Sequence, residues 1–222
     1  MNLPRRALAE LTGTAFLVAA VVGSGIMATR LSDDTGIQLL ANSLATGAAL
    51  VALILALQPV SASFNPAVTL AERVLGLIDT TTAAVLATAQ VVGGLVGVVV
   101  ANLMFDLGAV SISTHERTGA HLWLGEVVAT LGLVVVVFGM LRAGRADQVA
   151  YAVAGWITAA YWFTSSTSFA NPAVTVARML SDTFAGIAPA SVPMFVVMEV
   201  VGALLAVGLV RVLHPDKERA HA

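Results

Sequence analysis

SASFNPAVTLAERVL, residues 61–75, recurs as TSFANPAVTVARML, residues 167–180. The shared NPAVT core opens a helix in each copy, because Asn is a preferred N-cap and Pro is favoured at the first helical position. Asn65-Pro66-Ala67 and Asn171-Pro172-Ala173 are therefore helix starts. The apolar segments they open, Pro66 to Leu75 and Pro172 to Leu180, each run about ten residues, or about 15 Å as helix. That is half of a bilayer core. A single Asn-Pro-Ala is a common tripeptide, but two copies heading matched half-membrane segments are not coincidence.

Working outward, the flanks repeat too. AQVVGGLVG at 89–97 answers MEVVGALLA at 198–206, and Glu10 answers Glu126. Six windows are long and apolar enough to cross a bilayer: Ala7 to Thr29, Ile37 to Gln58, Thr81 to Phe105, Gly119 to Leu141, Val149 to Thr164 and Ser191 to Leu213. Each half reads as helix, helix, short NPA segment, helix, with residues 1–106 as the first half and 118–222 as the second of a single domain spanning 1–222. Three crossings per half is an odd number, so the second half enters from the opposite side and the repeat is inverted. The expected fold class is an all-α membrane protein of six transmembrane helices plus two re-entrant half-helices.

Composition agrees: 58% of the 222 residues are hydrophobic and 11% charged, with a mean hydropathy of +0.91, too little polar side chain to face water all round. The outer surface is expected to meet the lipid bilayer. A net charge of -2 without a basic face excludes nucleic acid as a partner. The absence of cysteine removes disulfides, thiolate metal sites and cysteine nucleophiles. His115 and His121 lack metal-ligand partners at suitable spacing, GSG at 23–25 follows no strand, and no HExxH occurs, so neither a metal site, a cofactor nor an enzyme is expected. Gly93, Gly94, Gly97 and Gly202 read as points of close helix approach. With the N-terminus cytoplasmic, Arg5, Arg6, Arg73, Arg142, Arg145, Arg211, Lys217 and Arg219 fall inside and Arg30, Arg117 and Arg178 outside. That excess puts both termini in the cytoplasm.

A half-helix beginning at mid-membrane has N–H groups that only buried protein or a water-filled cavity can satisfy. Each asparagine can cap its own helix through the side-chain oxygen and leave its NH2 free to donate. Two converging caps would offer two donors and two positive dipole ends, suited to a neutral molecule with lone pairs and repellent to cations. Symmetric placement of Glu10 and Glu126 favours a paired role, accepting hydrogen bonds from the re-entrant loops, over interfacial positions at helix ends. Gln90 is read as packing support, and the charge of Glu199 has no evident purpose.

AELTGTAFLV at the N-terminus, SFNPAVTLA, AQVVGGLVG, GEVVATLGLV and SFANPAVTVA together resemble the major intrinsic protein family, the aquaporins and aquaglyceroporins, over almost the whole chain. The resemblance implies a passive channel domain with one pore per subunit, a homotetramer, Asn65 and Asn171 as central pore donors, and Glu10 and Glu126 as buried braces of the loops. It also exposes a departure. Members usually continue the second motif as NPAR, the arginine lining the narrowest constriction; Val174 stands there in this chain, and the approach Thr167-Ser168-Phe169-Ala170-Asn171 is one residue longer than usual. Counting by resemblance, the selectivity filter comprises Thr46, Thr158 or its neighbour Ala159, Thr167 or Ser168, and Val174. Such a ring is wider and less polar than one of aromatic, histidine and arginine. Arg178, four residues after Val174, either adds charge to the outer vestibule or faces the surface beside Asp182. A constriction without arginine resembles bacterial aquaglyceroporins associated with arsenic-resistance operons. That implies a bacterial plasma membrane and, as permeants, water, polyol-like solutes and undissociated metalloid acids such as trihydroxyarsenic. Glycerol, urea or ammonia facilitation is the alternative in the same pore, and a proton-coupled transporter is a further one.

Overall fold

The computed structural model describes residues 2–214; Lys217 and Arg219, counted above for orientation, lie outside them. Among the described residues there are eight α-helices and no strand: α1 (Leu3–Leu31), α2 (Thr35–Leu57), α3 (Pro66–Val74), α4 (Thr80–Met104), α5 (Ala120–Arg142), α6 (Val149–Phe163), α7 (Pro172–Arg178) and α8 (Val192–Leu213). Helix starts follow side-chain capping. Asn2 accepts from the Arg5 N–H, Asp34 from Ile37 and Asp79 from Thr82, each satisfying a donor that the helix itself leaves unpaired.

Five of these helices have the length and apolarity of a membrane span. The remaining long element, α6, has 15 residues, or about 22 Å, and is extended at its start by a 3-10 turn at Ala146–Gln148. The half-helices α3 and α7 have 9 and 7 residues and sit among the others, α3 against α4, α8 and α5, α7 against α4, α8 and α1. Their tips meet each other.

Polarity is distributed inside out. Leu8, Phe16, Leu44, Leu103, Leu124 and Leu205 are exposed on the outer surface, while Glu10, Gln90, Glu126 and Glu199 have no accessible surface at all. That is the arrangement of a protein whose solvent is lipid. Close helix approach depends on glycine. A Cβ at Gly93 would sit 2.2 Å from the Leu11 carbonyl oxygen and one at Gly97 2.2 Å from that of Ala15, so α4 lies directly on the α1 backbone. In the other half, a Cβ at Gly202 would come 2.6 Å from the Val127 oxygen, seating α8 on α5, and Gly94 faces the Ala173 oxygen of α7 at 3.0 Å. All four glycines therefore stand where side chains would force helices apart.

Candidate pore and filter

The two half-helix starts are built alike. The Asn65 side-chain oxygen accepts from the Ala67 N–H at 2.8 Å, and that of Asn171 from Ala173 at 3.0 Å and Val174 at 3.3 Å. The residue before each asparagine is left-handed, with φ of 48° at Phe64 and 49° at Ala170, a conformation that costs a non-glycine residue about 1–3 kcal/mol. Buried carboxylates hold it. Glu10 accepts from Ser61 Oγ (2.5 Å), the Ser63 and Phe64 N–H groups (2.9 and 2.6 Å) and Gln90 Nε2 (2.8 Å). Glu126 accepts from the Phe169 and Ala170 N–H groups at 3.0 and 2.7 Å.

The turned carbonyls then cross between halves. Asn65 Nδ2 donates to Ala170 O at 2.7 Å and Asn171 Nδ2 to Phe64 O at 2.8 Å. Each amide NH2 carries two donors, so one of each is spent tying the loops together and a single N–H per asparagine remains for a passing molecule. The cross-tie thus halves the donor capacity expected of a wholly free NH2.

Glu199 also finds its purpose. It accepts from the Asn171 N–H at 3.2 Å and from Thr175 Oγ1 at 2.5 Å. Gln90 does the matching work in the first half, bonding Thr69 Oγ1 at 2.9 Å as well as Glu10. Thr69 and Thr175 each stand four residues after their asparagine, a repeat signal that already paired the two sites.

One cavity of about 570 Å³ runs from Arg178 past both asparagines to Asp147. Leu17, Leu50, Ile54, Leu133, Val153 and Ile157 form an apolar wall, against which Thr46, Tyr161, Ser168, Asn65, Asn171 and Glu72 supply the polar atoms. Of the sequence-derived filter positions, Thr46 and Val174 line this cavity and Thr158 and Thr167 do not. Thr158 points at α2, its Oγ1 2.2 Å from where a Cβ on Gly47 would be, and Ala159 is exposed. Tyr161, one turn further along α6, lines the cavity: it is buried, and its hydroxyl meets Thr46 Oγ1 at 3.2 Å. The residue of α6 beside Thr46 at the cavity is thus an aromatic one. On the loop, Thr167 and Ser168 are both left-handed (φ 63° and 54°). Ser168 is the one among the cavity's lining residues, although its Oγ is itself buried and without a hydrogen-bond partner among the described residues.

Arg178 is buried and lines the cavity, not the surface. Its Nε donates to Ala185 O and its guanidinium lies over the Phe169 ring, 3.4 Å from the centroid. Arg117 approaches the same ring at 5.1 Å and donates to Gly186 O at 2.9 Å. Asp182 has no part in this cluster. Exposed outside the spans, it accepts from the Thr114 N–H and hydroxyl at 2.8 and 3.0 Å, bonds that hold its carboxyl below the usual carboxylate range.

Comparison with known proteins places this architecture. The major intrinsic protein family matches residues 1–149 and 141–222. Aquaglyceroporin AqpS of Rhizobium meliloti (strain 1021) is 49% identical over 211 residues, covering 95% of this chain and 90% of that protein. A protein of Phaseolus vulgaris described as "Probable aquaporin TIP-type alpha" is 32% identical over 154 residues, 66% of this chain and 60% of its own length. Among solved structures, the aquaglyceroporin from Plasmodium falciparum superposes with a TM-score of 0.73 at 16% identity, covering 96% of this chain and 98% of that one, a likeness of fold. With the family matched from end to end and its fold reproduced around a cavity headed by two asparagines, the chain belongs to the major intrinsic protein family.

Proposed function

We propose that the chain is a passive channel for water and small uncharged solutes, with no catalytic step and no energy coupling. The observation that carries this reading is the cross-tied pair Asn65 and Asn171, each presenting one N–H to a single cavity that extends through the helix bundle. Donors there select molecules with lone pairs, and converging helix starts disfavour cations.

Polyol-like molecules and undissociated metalloid acids such as trihydroxyarsenic are the proposed solutes. Val174 supports them by leaving the constriction position without its usual cation, as does the relative named an aquaglyceroporin. Tyr161 adds a hydroxyl that can meet a solute's own. Glycerol, urea or ammonia use the same route in the alternative reading. The functional unit is a homotetramer in a bacterial plasma membrane, each protomer a single channel domain of two inverted halves, 1–106 and 118–222. Both termini face the cytoplasm, which makes the mouth carrying Glu72 and Asp147 the inner one and the mouth carrying Arg178 the outer.

Stopped-flow light scattering on proteoliposomes, with water, glycerol and trihydroxyarsenic compared in turn, tests this reading. Flux down each gradient, unaffected by an imposed pH gradient, is expected. Saturable accumulation driven by that pH gradient would replace the channel by a proton-coupled transporter.

A further inference from the structure

We propose that Glu72 and Arg178 are the two charged barriers of the pore, Glu72 turning back anions at the inner end and Arg178 cations at the outer, so that only uncharged solutes pass. This rests on the channel reading above and deepens it. Each residue is the seventh after its asparagine, so each lies about 10 Å along its half-helix from the midplane pair. Both line the same cavity. The repeat has therefore placed opposite charges at equivalent positions on the two sides of the asparagines.

Neither charge is hydrogen-bonded to an opposite charge among the described residues. Arg178 contacts a carbonyl oxygen and an aromatic ring, not a carboxylate. Glu72 accepts from Ser63 Oγ at 3.1 Å through one oxygen, while its second oxygen is buried and has no hydrogen-bond partner among the described residues. Ser63 is itself held in place, since its N–H donates to Glu10. The Glu72 carboxylate is thus positioned by the same braced loop that orients Asn65.

Without Glu72, the Arg178 guanidinium at the outer mouth and the two amide donors at the midplane would together favour negative charge. Such a pore excludes cations and attracts anions. A carboxylate on the inner path reverses the balance, and the apolar wall of Leu50, Ile54 and Val68 beside it limits screening of that repulsion. Asp147, the other acid at this mouth, is exposed and more strongly screened. A neutral polyol is not penalised, because it carries no net charge for either barrier to repel.

The test is ion flux in proteoliposomes at pH 8, with chloride and potassium followed by entrapped fluorescent indicators and water by stopped flow on the same vesicles. Wild-type protein is expected to pass water and neither ion above the level of protein-free vesicles. Glu72→Gln should raise chloride flux at least about ten-fold, the factor corresponding to about 1.4 kcal/mol of lost repulsion, with potassium unchanged. Arg178→Gln should do the reverse. Glu72→Asp, which keeps the charge, should keep chloride out. Glu72→Leu removes the charge at similar volume and serves if the glutamine variant fails to fold. A Glu72→Gln or Glu72→Leu channel that conducts water while holding chloride at the wild-type level would overturn the proposal. A wild-type protein that conducts no water would overturn the channel reading itself.

Discussion

Asn65 donates its side-chain N–H to the carbonyl oxygen of Ala170 at 2.7 Å, joining loops 105 residues apart in sequence at the tips of α3 and α7. Asn171 returns the bond to Phe64 at 2.8 Å. The two half-helices are therefore one mechanical unit. Asn65→Ala removes a helix cap worth about 1 kcal/mol and one strand of this tie. Hydrogen exchange should accelerate not only at residues 61–68 but also at 168–171, on the other loop. Acceleration confined to the first loop would show that the cross-tie does not hold the second.

On α6 it is Tyr161 and not Thr158 that lines the cavity, which predicts that Tyr161 sets the solute preference. Tyr161→Phe removes the hydroxyl that meets Thr46 Oγ1 and leaves the ring's bulk in the pore, so glycerol permeability relative to water should change. Thr158→Ser keeps the contact with Gly47 and should leave that ratio alone. Proteoliposome swelling assays in water and glycerol measure both. A ratio that moves with Thr158 and not with Tyr161 would contradict the assignment.

Glu199 serves as an acceptor for the Asn171 N–H and the Thr175 hydroxyl. Glutamine keeps a side-chain oxygen that can accept, as Gln90 Oε1 does from the Thr69 hydroxyl at 3.4 Å. Glu199→Gln should therefore fold and conduct, whereas Glu199→Ala leaves two buried donors unpaired at about 1–3 kcal/mol each. Thermal unfolding in detergent, followed by fluorescence, separates the two. Equal melting temperatures for both variants would mean these bonds are not needed.

Much of this architecture is legible in the chain because it rests on local chemistry. Helix starts at Asn65 and Asn171 follow from capping, and the acceptor roles of Glu10 and Glu126 follow from their matched places in the two halves. Tyr161 was hidden for a physical reason. Counting back from Asn171 assumes a regular path, but Thr167, Ser168 and Ala170 all take left-handed conformations, so the spacing along the chain does not give which face of α6 meets the cavity. The burial of Arg178 could not be read either, since it depends on the Phe169 ring and the Ala185 carbonyl, which only the folded outer loops bring together.

Close packing of α1 on α4 gives a prediction independent of transport. Gly97→Leu would drive a side chain into the Ala15 carbonyl, where even a Cβ comes within 2.2 Å. The helices must separate, at a cost of about 1–3 kcal/mol or more. Gly155 and Gly208, beside which nothing lies within 4 Å, should accept alanine without loss. Detergent-solubilised yield and melting temperature check the contrast, and a Gly97→Leu protein as stable as wild type would show that the interface is looser than described.

The central claim, a passive pore whose constriction is opened by Val174, is tested most directly by stopped-flow uptake of glycerol and trihydroxyarsenic into proteoliposomes carrying wild-type protein or Val174→Arg. The wild type should admit both solutes down their gradients, and the arginine, adding bulk and charge beside Tyr161 and Ser168, should lower both relative to water. Solute-to-water ratios identical in the two proteins would contradict the account.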